Sequence, residues 1–402
     1  MGIHLRGTGR TQALSRLLLF AALSLTGPAT AQAQISRLPV PDTTTGDFFG
    51  GAVAVDGPRI LVGASGRDTC GPSSGAAFVF ERTPTGAWGL TAHLEAEDCE
   101  PGEYFGRSVA LEGDVAVVTS YVPTPFAARS NAVYVFELAD GAWTQTARLT
   151  DPVPEEDGPF ASAVVIDGAR ILVTSSGDTA AGRFGGTASV FERDAVGRWH
   201  PVSRFSAPHD ARRGVFGTSA ALHGRRAVVT ASTYGLGRPG TAHIFEQDEN
   251  GEWQLDASLQ GMDDYFLPVD LHGDRLIVGQ TRDGTDHTGR AAIYERGDSG
   301  WQRIAELKPD SPYPGGGFGS AVALSGDVAA VVGFDEQLKL EFNIDRVVFV
   351  FERSASGKWE QRRIVDVGEV YFGASLDLDG ETAAIGQASE EAPGQVYVAT
   401  VR

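Results

Sequence analysis

The stretch FGSAVALSGDVAAVVG, residues 318–333, decides the fold. Apolar and small residues alternate up to Ser325, Gly326 interrupts them, and a second apolar run starts at Val328. Two apolar runs joined through a fixed Gly read as a β-hairpin with a tight turn. Near-copies recur: FGRSVALEGDVAVVTS from Phe105, FGTSAALHGRRAVVTA from Phe216 and FGASLDLDGETAAIGQ from Phe372. The Phe anchors are Phe49, Phe105, Phe160, Phe216, Phe266, Phe318 and Phe372, spaced 56, 55, 56, 50, 52 and 54 residues apart. Seven units therefore tile the chain.

Each unit holds its turn Gly in place: Gly57, Gly113, Gly168, Gly224, Gly273, Gly326 and Gly380. An Asp-Gly pair such as Asp56-Gly57 is expected to fill both central turn positions at positive φ. After the second strand comes a variable polar loop. A third strand then ends in Phe-Glu or Tyr-Glu, as in AAFVFER (76–82), TASVFER (187–193) and VVFVFER (347–353). All six Trp (Trp88, Trp143, Trp199, Trp253, Trp301 and Trp359) mark the start of a fourth strand, just after a Gly. One Trp per unit at one register reads as packing between neighbouring units rather than as a ligand platform.

Four short antiparallel strands repeated seven times predict an all-β fold, a seven-bladed β-propeller. The last unit stops at GQVYVATVR (394–402), without a Trp or a fourth strand. ISRLPVPDT (35–43) resembles the fourth strands of other units. The N-terminal strand is thus expected to complete the last blade and close the ring, which removes two exposed sheet edges.

The Phe-Gly openings (Phe49-Gly50, Phe105-Gly106, Phe216-Gly217, Phe318-Gly319, Phe372-Gly373), the Gly turn and the VFER strand resemble bacterial FG-GAP repeat proteins. Their blades are related to the seven-bladed propeller of integrin α subunits. The resemblance covers residues 36–402; Phe160-Ala161 and Phe266-Leu267 depart from it. It implies that some blades could carry a calcium loop, Asp-x-Asp-x-Asn/Asp-Gly. The nearest approach here, Asp377-Leu378-Asp379-Gly380, is too short to wrap an ion that needs six to eight oxygens. DGTDH (283–287) offers two carboxylates. No cofactor is expected.

Residues 1–33 read as a secretory signal peptide. Arg6, Arg10 and Arg16 precede the short apolar core LLLFAALSL (17–25), and Ala31-Gln32-Ala33 is a small-x-small cleavage pattern. The core is too short to span a bilayer. Residues 34–402 are then one propeller, placed in the periplasm or outside the cell. Loss of three Arg and no acid takes the net charge from −19 to −22. That charge disfavours nucleic acid and anionic lipid as partners. Three lysines against many Arg hint at a GC-rich bacterial gene. In an oxidising compartment Cys70 and Cys99 are expected to pair. They fall in a second loop and the following blade link, on one face of the ring.

In an up-and-down blade the first and third turns share one face, and the second loops and blade links share the other. The first turns are all tight, so their face is expected to be plain. The second loops are long and dissimilar: TSYVPTPFAARSN from Thr119, STYGLGRPG from Ser232, FDEQLKLEFNID from Phe334. Candidate ligand contacts there are Tyr121, Phe126, Tyr234, Arg238, Phe334 and Phe342, because aromatic and Arg side chains anchor interfaces.

Chemistry-bearing motifs are weak. GLGRPG (235–240) is followed by a strand, whereas a dinucleotide site needs a helix. RGDS (296–299) has the composition of a hairpin turn. His223 and His272 sit beside tight turns, and no nucleophile elbow is read. The expected role is a non-catalytic binding or adhesion scaffold, monomeric, contacting an extracellular protein or glycan. An alternative is an enzyme on a polysaccharide or small metabolite at the central channel, drawing on Glu155, Glu156, Asp157, Asp263 and Asp264. A module of an envelope assembly is the third reading.

Overall fold

The computed structural model describes residues 34–122, 131–153, 160–176, 185–208, 215–232, 240–262, 264, 267–282, 286–335, 346–369 and 372–402. They form seven four-stranded antiparallel sheets. Blade 1 is β2 (Phe49–Asp56), β3 (Arg59–Ala64), β4 (Ala76–Arg82) and β5 (Trp88–Leu94). Blade 2 is β6 (Val109–Glu112), β7 (Val115–Ser120), β8 (Ala132–Ala139) and β9 (Ala142–Leu149). Blade 3 is β10 (Ala163–Asp167), β11 (Arg170–Ser175), β12 (Thr187–Arg193) and β13 (Trp199–Ser206). Blade 4 is β14 (Val215–His223), β15 (Arg226–Ser232), β16 (Gly240–Gln247) and β17 (Trp253–Met262). Blade 5 is β18 (Val269–His272), β19 (Arg275–Gln280), β20 (Arg290–Gly297) and β21 (Gly300–Leu307). Blade 6 is β22 (Val322–Ser325), β23 (Val328–Phe334), β24 (Arg346–Arg353) and β25 (Trp359–Val365).

Blade 7 is built from both ends of the chain: β26 (Phe372–Asp379), β27 (Thr382–Gln387), β28 (Gln395–Thr400) and, as its outer strand, β1 (Ile35–Arg37). Ile35 pairs with Ala399 and Arg37 with Tyr397. The first strands line the centre in order, and β2 packs on β26 as well as on β6. The ring is closed by the N-terminal strand.

The tight turns differ from the sequence expectation. Asp56 pairs with Arg59, so the loop is Gly57-Pro58, and Asp56 is the last strand residue. The Gly alone has positive φ, between 52° and 61° in all seven turns. A positive first position is the II′ pattern, which tolerates Pro58 in second place. An Asp-Gly turn with both residues positive occurs elsewhere, at Asp140-Gly141 between β8 and β9 (φ 52° and 80°).

The core is divided among the blade boundaries, one apolar cluster at each. Leu61 and Val79 of blade 1 meet Phe105, Val118 and Tyr134 of blade 2. At the closing seam Val396 and Val398 meet Phe49, Ile60 and Phe78. Burying each of these side chains stabilises by about 1.5–3 kcal/mol. Every Trp packs on one of these clusters, for example Trp143 on that of blades 1 and 2, and Trp301 on that of blades 4 and 5. Five of the six described Phe anchors also meet the aromatic ring that ends their own third strand, edge to face; Phe372 meets Tyr397 instead. Phe49–Phe80, Phe105–Phe136, Phe160–Phe191, Phe216–Phe245 and Phe318–Phe351 have centroids 6.1–6.3 Å apart. This links the Phe-Gly opening to VFER, two signatures some 30 residues apart in sequence. Just before that ring the outer strand carries a β-bulge in six blades, which disrupts the exposed outer edge.

The Phe-Gly segment also meets a Gly of the preceding blade. Phe318 bridges to Gly289, whose φ is +81°, and a Cβ on Gly289 would lie 2.1 Å from the Phe318 carbonyl oxygen. Only hydrogen fits there. Where blade 3 has Ala161 in place of Gly, the backbone keeps the same hand, with φ 66°.

Cys70 and Cys99 form a disulfide with Cα atoms 6.3 Å apart, joining the second loop of blade 1 to its outgoing link. Two predictions follow from the boundary geometry. Gly289→Ala should cost about 2–4 kcal/mol through steric overlap and backbone strain, read as a lowered urea midpoint. Replacing Cys70 and Cys99 by Ser should cost about 3.5 kcal/mol in the chain-entropy account. A melting temperature equal to that of the parent would show that the bridge constrains little.

Candidate functional site

A propeller leaves one edge of each innermost strand facing the axis, with alternate N–H groups unpaired. In this chain the preceding blade supplies the acceptor. Gly113 N–H donates to Asp56 Oδ2 (2.6 Å), Gly168 to Glu112 and Gly224 to Asp167 Oδ2 (2.7 Å). Val269 donates to Ser219 Oγ (3.3 Å), Leu324 to Asp270 Oδ2 (2.7 Å) and Gly380 to Ser325 Oγ (2.9 Å). Val164 N–H also donates to Ser108 Oγ (3.2 Å), and the closing seam has two such contacts and one in the opposite sense. Gly57 N–H donates to Asp379 (2.8 Å), Val55 N–H to Asp377 (2.7 Å), and Ser375 Oγ–H to the Gly50 carbonyl (2.8 Å). All seven boundaries are clasped in this way.

The first-turn face is therefore not plain. The residue before each turn Gly, which looks like turn chemistry in sequence, is the clasp. His223 and His272 are the exceptions: their rings lie 5.0 Å apart and pack on each other. Farther out, Arg side chains continue the pattern. Arg59 holds Glu81 of its own blade (2.7 Å) and Asp114 of the next (2.9 Å). Arg275 does the same with Glu295 and Asp327, both at 2.8 Å. The Glu and Arg of VFER belong to this belt.

Crowding acids around the axis shifts their titration. Burial between adjacent inner strands pushes the Asp377 carboxyl up to about 7, and the Asp270 charge adds to it. Burial likewise raises Asp270, against the N–H groups of Leu324 and Leu271 that favour its anion. Glu112 is raised by burial, with Asp167 and Asp56 contributing repulsion. His272 is lowered, first by burial and then by His223. The enzyme reading expected two carboxylates converging near the axis; Asp270 and Asp377 lie on the inner strands of blades 5 and 7. Each, however, accepts two backbone N–H groups. Asp264, one of the acids named for that role, accepts from Thr281 and Arg282 N–H; Glu155, Glu156, Asp157 and Asp263 lie outside the described residues.

Residues 33–80 and 88–136 match the FG-GAP repeat family. These are FG-GAP repeats. The first match runs through β1, β2, β3 and β4, and the second through β5, β6, β7 and β8 up to Phe136. Each FG-GAP unit thus begins with the outer strand of the preceding blade, the one-strand offset by which β1 closes the ring. The seven-bladed architecture is consistent with an integrin-α-like FG-GAP propeller. No curated protein matches the chain. The described residues do not build the calcium loop that the resemblance implies. Asp377 and Asp379 point their carboxylates at N–H groups of blade 1, and no group of three or more His, Cys, Asp or Glu among the described residues is placed to hold a metal.

On the loop face Tyr121 and Phe334 are described; Phe126, Tyr234, Arg238 and Phe342 lie outside the described residues. Tyr121 follows β7, is partly exposed and has the Arg107 guanidinium 5.5 Å from its ring centroid. Phe334 ends β23, is partly exposed and has Arg346 at 5.6 Å. They come from blades 2 and 6. In the RGDS turn, Arg296 is held by Glu246 (2.7 Å) and Asp256 (3.3 Å) of blade 4. The sequence reading also passes over a Gly-x-Ser-x-Gly spacing, Gly71 to Gly75, in the disulfide loop. Ser73 has a positive φ of 51°, yet the loop runs between strands β3 and β4, without the helix that a nucleophile elbow needs.

Asp377 makes stability depend on pH. Its carboxyl ionises near pH 4 when unfolded and near 7 when folded. A raised folded value gives stability that is complete below the unfolded value and is lost as pH rises through the folded one. Stability should fall between about pH 4 and 7 through this group. Asp377→Asn should flatten that slope in denaturation curves taken across the window, and an unaltered slope would place the dependence on other groups.

Proposed function

We propose that the chain is an exported, non-catalytic binding scaffold whose long-loop face contacts a protein or glycan at the cell surface. The observation that carries this reading is the division of labour between the faces. Around the axis the carboxylates of Asp56, Glu112, Asp167, Asp270, Asp377 and Asp379 are spent on backbone N–H groups of the next blade. A hydrolytic site would need such groups free to address a substrate. The loop rim instead presents partly exposed aromatic rings stiffened by Arg, as at Tyr121 and Phe334. Aromatic and Arg anchors on a rigid frame suit recognition. The disulfide and the basic, short-cored leader favour an oxidising compartment. No helix among the described residues is long and apolar enough to cross a membrane.

Tyr121→Ala combined with Phe334→Ala should weaken binding of fluorescently labelled protein to cells of the producing species by about tenfold or more, read by flow cytometry. Retention of full binding with both rings removed would move the contact off this face.

A further inference from the structure

On the other face, between blades 4 and 5, lies an open cleft of about 780 Å³. Its walls are the His223–Arg226 turn, the end of β16, the start of β17 and the Gly273-Asp274 turn. Two departures from the repeat meet there. Arg225 stands where Asp114, Asp274 and Asp327 occupy the equivalent turns, and Gln247 stands where Arg82, Arg193, Arg296 and Arg353 follow the third-strand Glu. Arg225 folds back to donate to the Gln247 carbonyl (2.8 Å).

The lining is mixed and largely self-neutralised. Arg226 pairs with Asp274 (2.6 Å) and Glu246 (3.3 Å), while Arg296 takes the other oxygen of Glu246 and also Asp256. Three groups remain uncommitted. Leu255 is 45% exposed, and the side chains of Glu249 and Gln254 make no hydrogen bond or ion pair among the described residues. Of the five lining carboxylates, Glu246, Asp256 and Asp274 are paired with guanidinium groups and Asp248 accepts the N–H groups of Asn250 and Glu252, so Glu249 alone offers an ion a free charge. A hydroxyl can use both uncommitted polar groups, because it donates to a carboxylate and accepts from an amide. An apolar side chain in the wall suits the C–H face of a sugar ring, and the volume falls within the ~300–1,000 Å³ of small-molecule sites.

We propose that this cleft binds a neutral oligosaccharide. The proposal rests on the reading of the chain as a binding scaffold and adds a contact separate from the loop face.

The test is saturation-transfer NMR and calorimetry on the full chain with maltohexaose, cellohexaose, mannohexaose and N-acetylated chitohexaose. Fully deacetylated chitosan hexamer and hexagalacturonate serve as charged comparators. At least one neutral oligomer should bind, and Glu249→Ala with Gln254→Ala should weaken it about tenfold or more, with Leu255→Ala weakening it further. All three positions are exposed, so these variants keep the fold. Absence of neutral binding at millimolar concentration, preference for a charged comparator, or unchanged affinity in the cleft variants would each overturn the proposal. Loss of binding on Tyr121→Ala and Phe334→Ala instead would place the sugar on the loop rim, overturning the cleft while leaving the scaffold reading intact.

Discussion

The constraint that organises this molecule is the inner edge of each blade. A sheet must end somewhere, and in a propeller seven edges end at the axis, where strand addition cannot pair them. The chain meets this with side chains of the preceding blade. The acceptor at each boundary is a carboxylate or a hydroxyl, set on the innermost strand directly before the turn Gly or three or five residues before it. Each such bond is local to one boundary; six boundaries join units some 55 residues apart, and the seam joins the two ends of the chain across 322 residues. The seam carries two of these bonds and a further hydroxyl-to-carbonyl bond.

This explains what drifts and what is held. The turn Gly is held because the first turn position needs positive φ. The Phe-Gly segment is held because its carbonyl comes within the space of a missing side chain. Residues between them need only be apolar and of suitable size, since they fill boundary clusters that tolerate volume-conserving exchange. Ala161 shows which requirement is stronger: the residue type changed and the backbone conformation did not.

The fold was legible because its requirements repeat. Seven Phe anchors, seven turn Gly and six Trp set blade number, strand order and the closing strand before any contact was known. The disulfide was legible for the same reason, since strand order alone puts Cys70 and Cys99 on one face. The role of the turn acids was not. Asp56, Glu112 and Asp379 precede Gly, where acidic residues also serve ordinary turns, and nothing in one unit shows that its carboxylate serves the next. DLDG at 377–380 is the sharpest case, because its two carboxylates resemble half a metal loop and act as a seam. The Arg–Glu belt is similar: VFER is visible as a string, but its partners lie one blade away. The cleft between blades 4 and 5 could have been suspected from Arg225 and Gln247, two positions where one unit breaks a rule that others keep.

That last point bears on how function is carried by such a frame. A side chain that obeys the repeat is already explained by closure, and its polar atoms are occupied. Recognition needs polar atoms that are held in place but not consumed. Such atoms are expected where a unit departs from its neighbours. Most boundaries spend their charges in pairs, leaving little for a ligand. At blades 4 and 5 Glu246 and Asp274 are taken up by Arg226 and Arg296, yet Glu249 in the turn and Gln254 and Leu255 on the outer strand stand outside that belt. The same reasoning separates the axis from the rim. Carboxylates at the axis are numerous but bonded, and burial pushes Asp377 up to about 7, which lowers its charge near neutral pH. Groups that closure does not need are the ones left for a ligand, and among the described residues Glu249, Gln254 and Leu255 are of that kind.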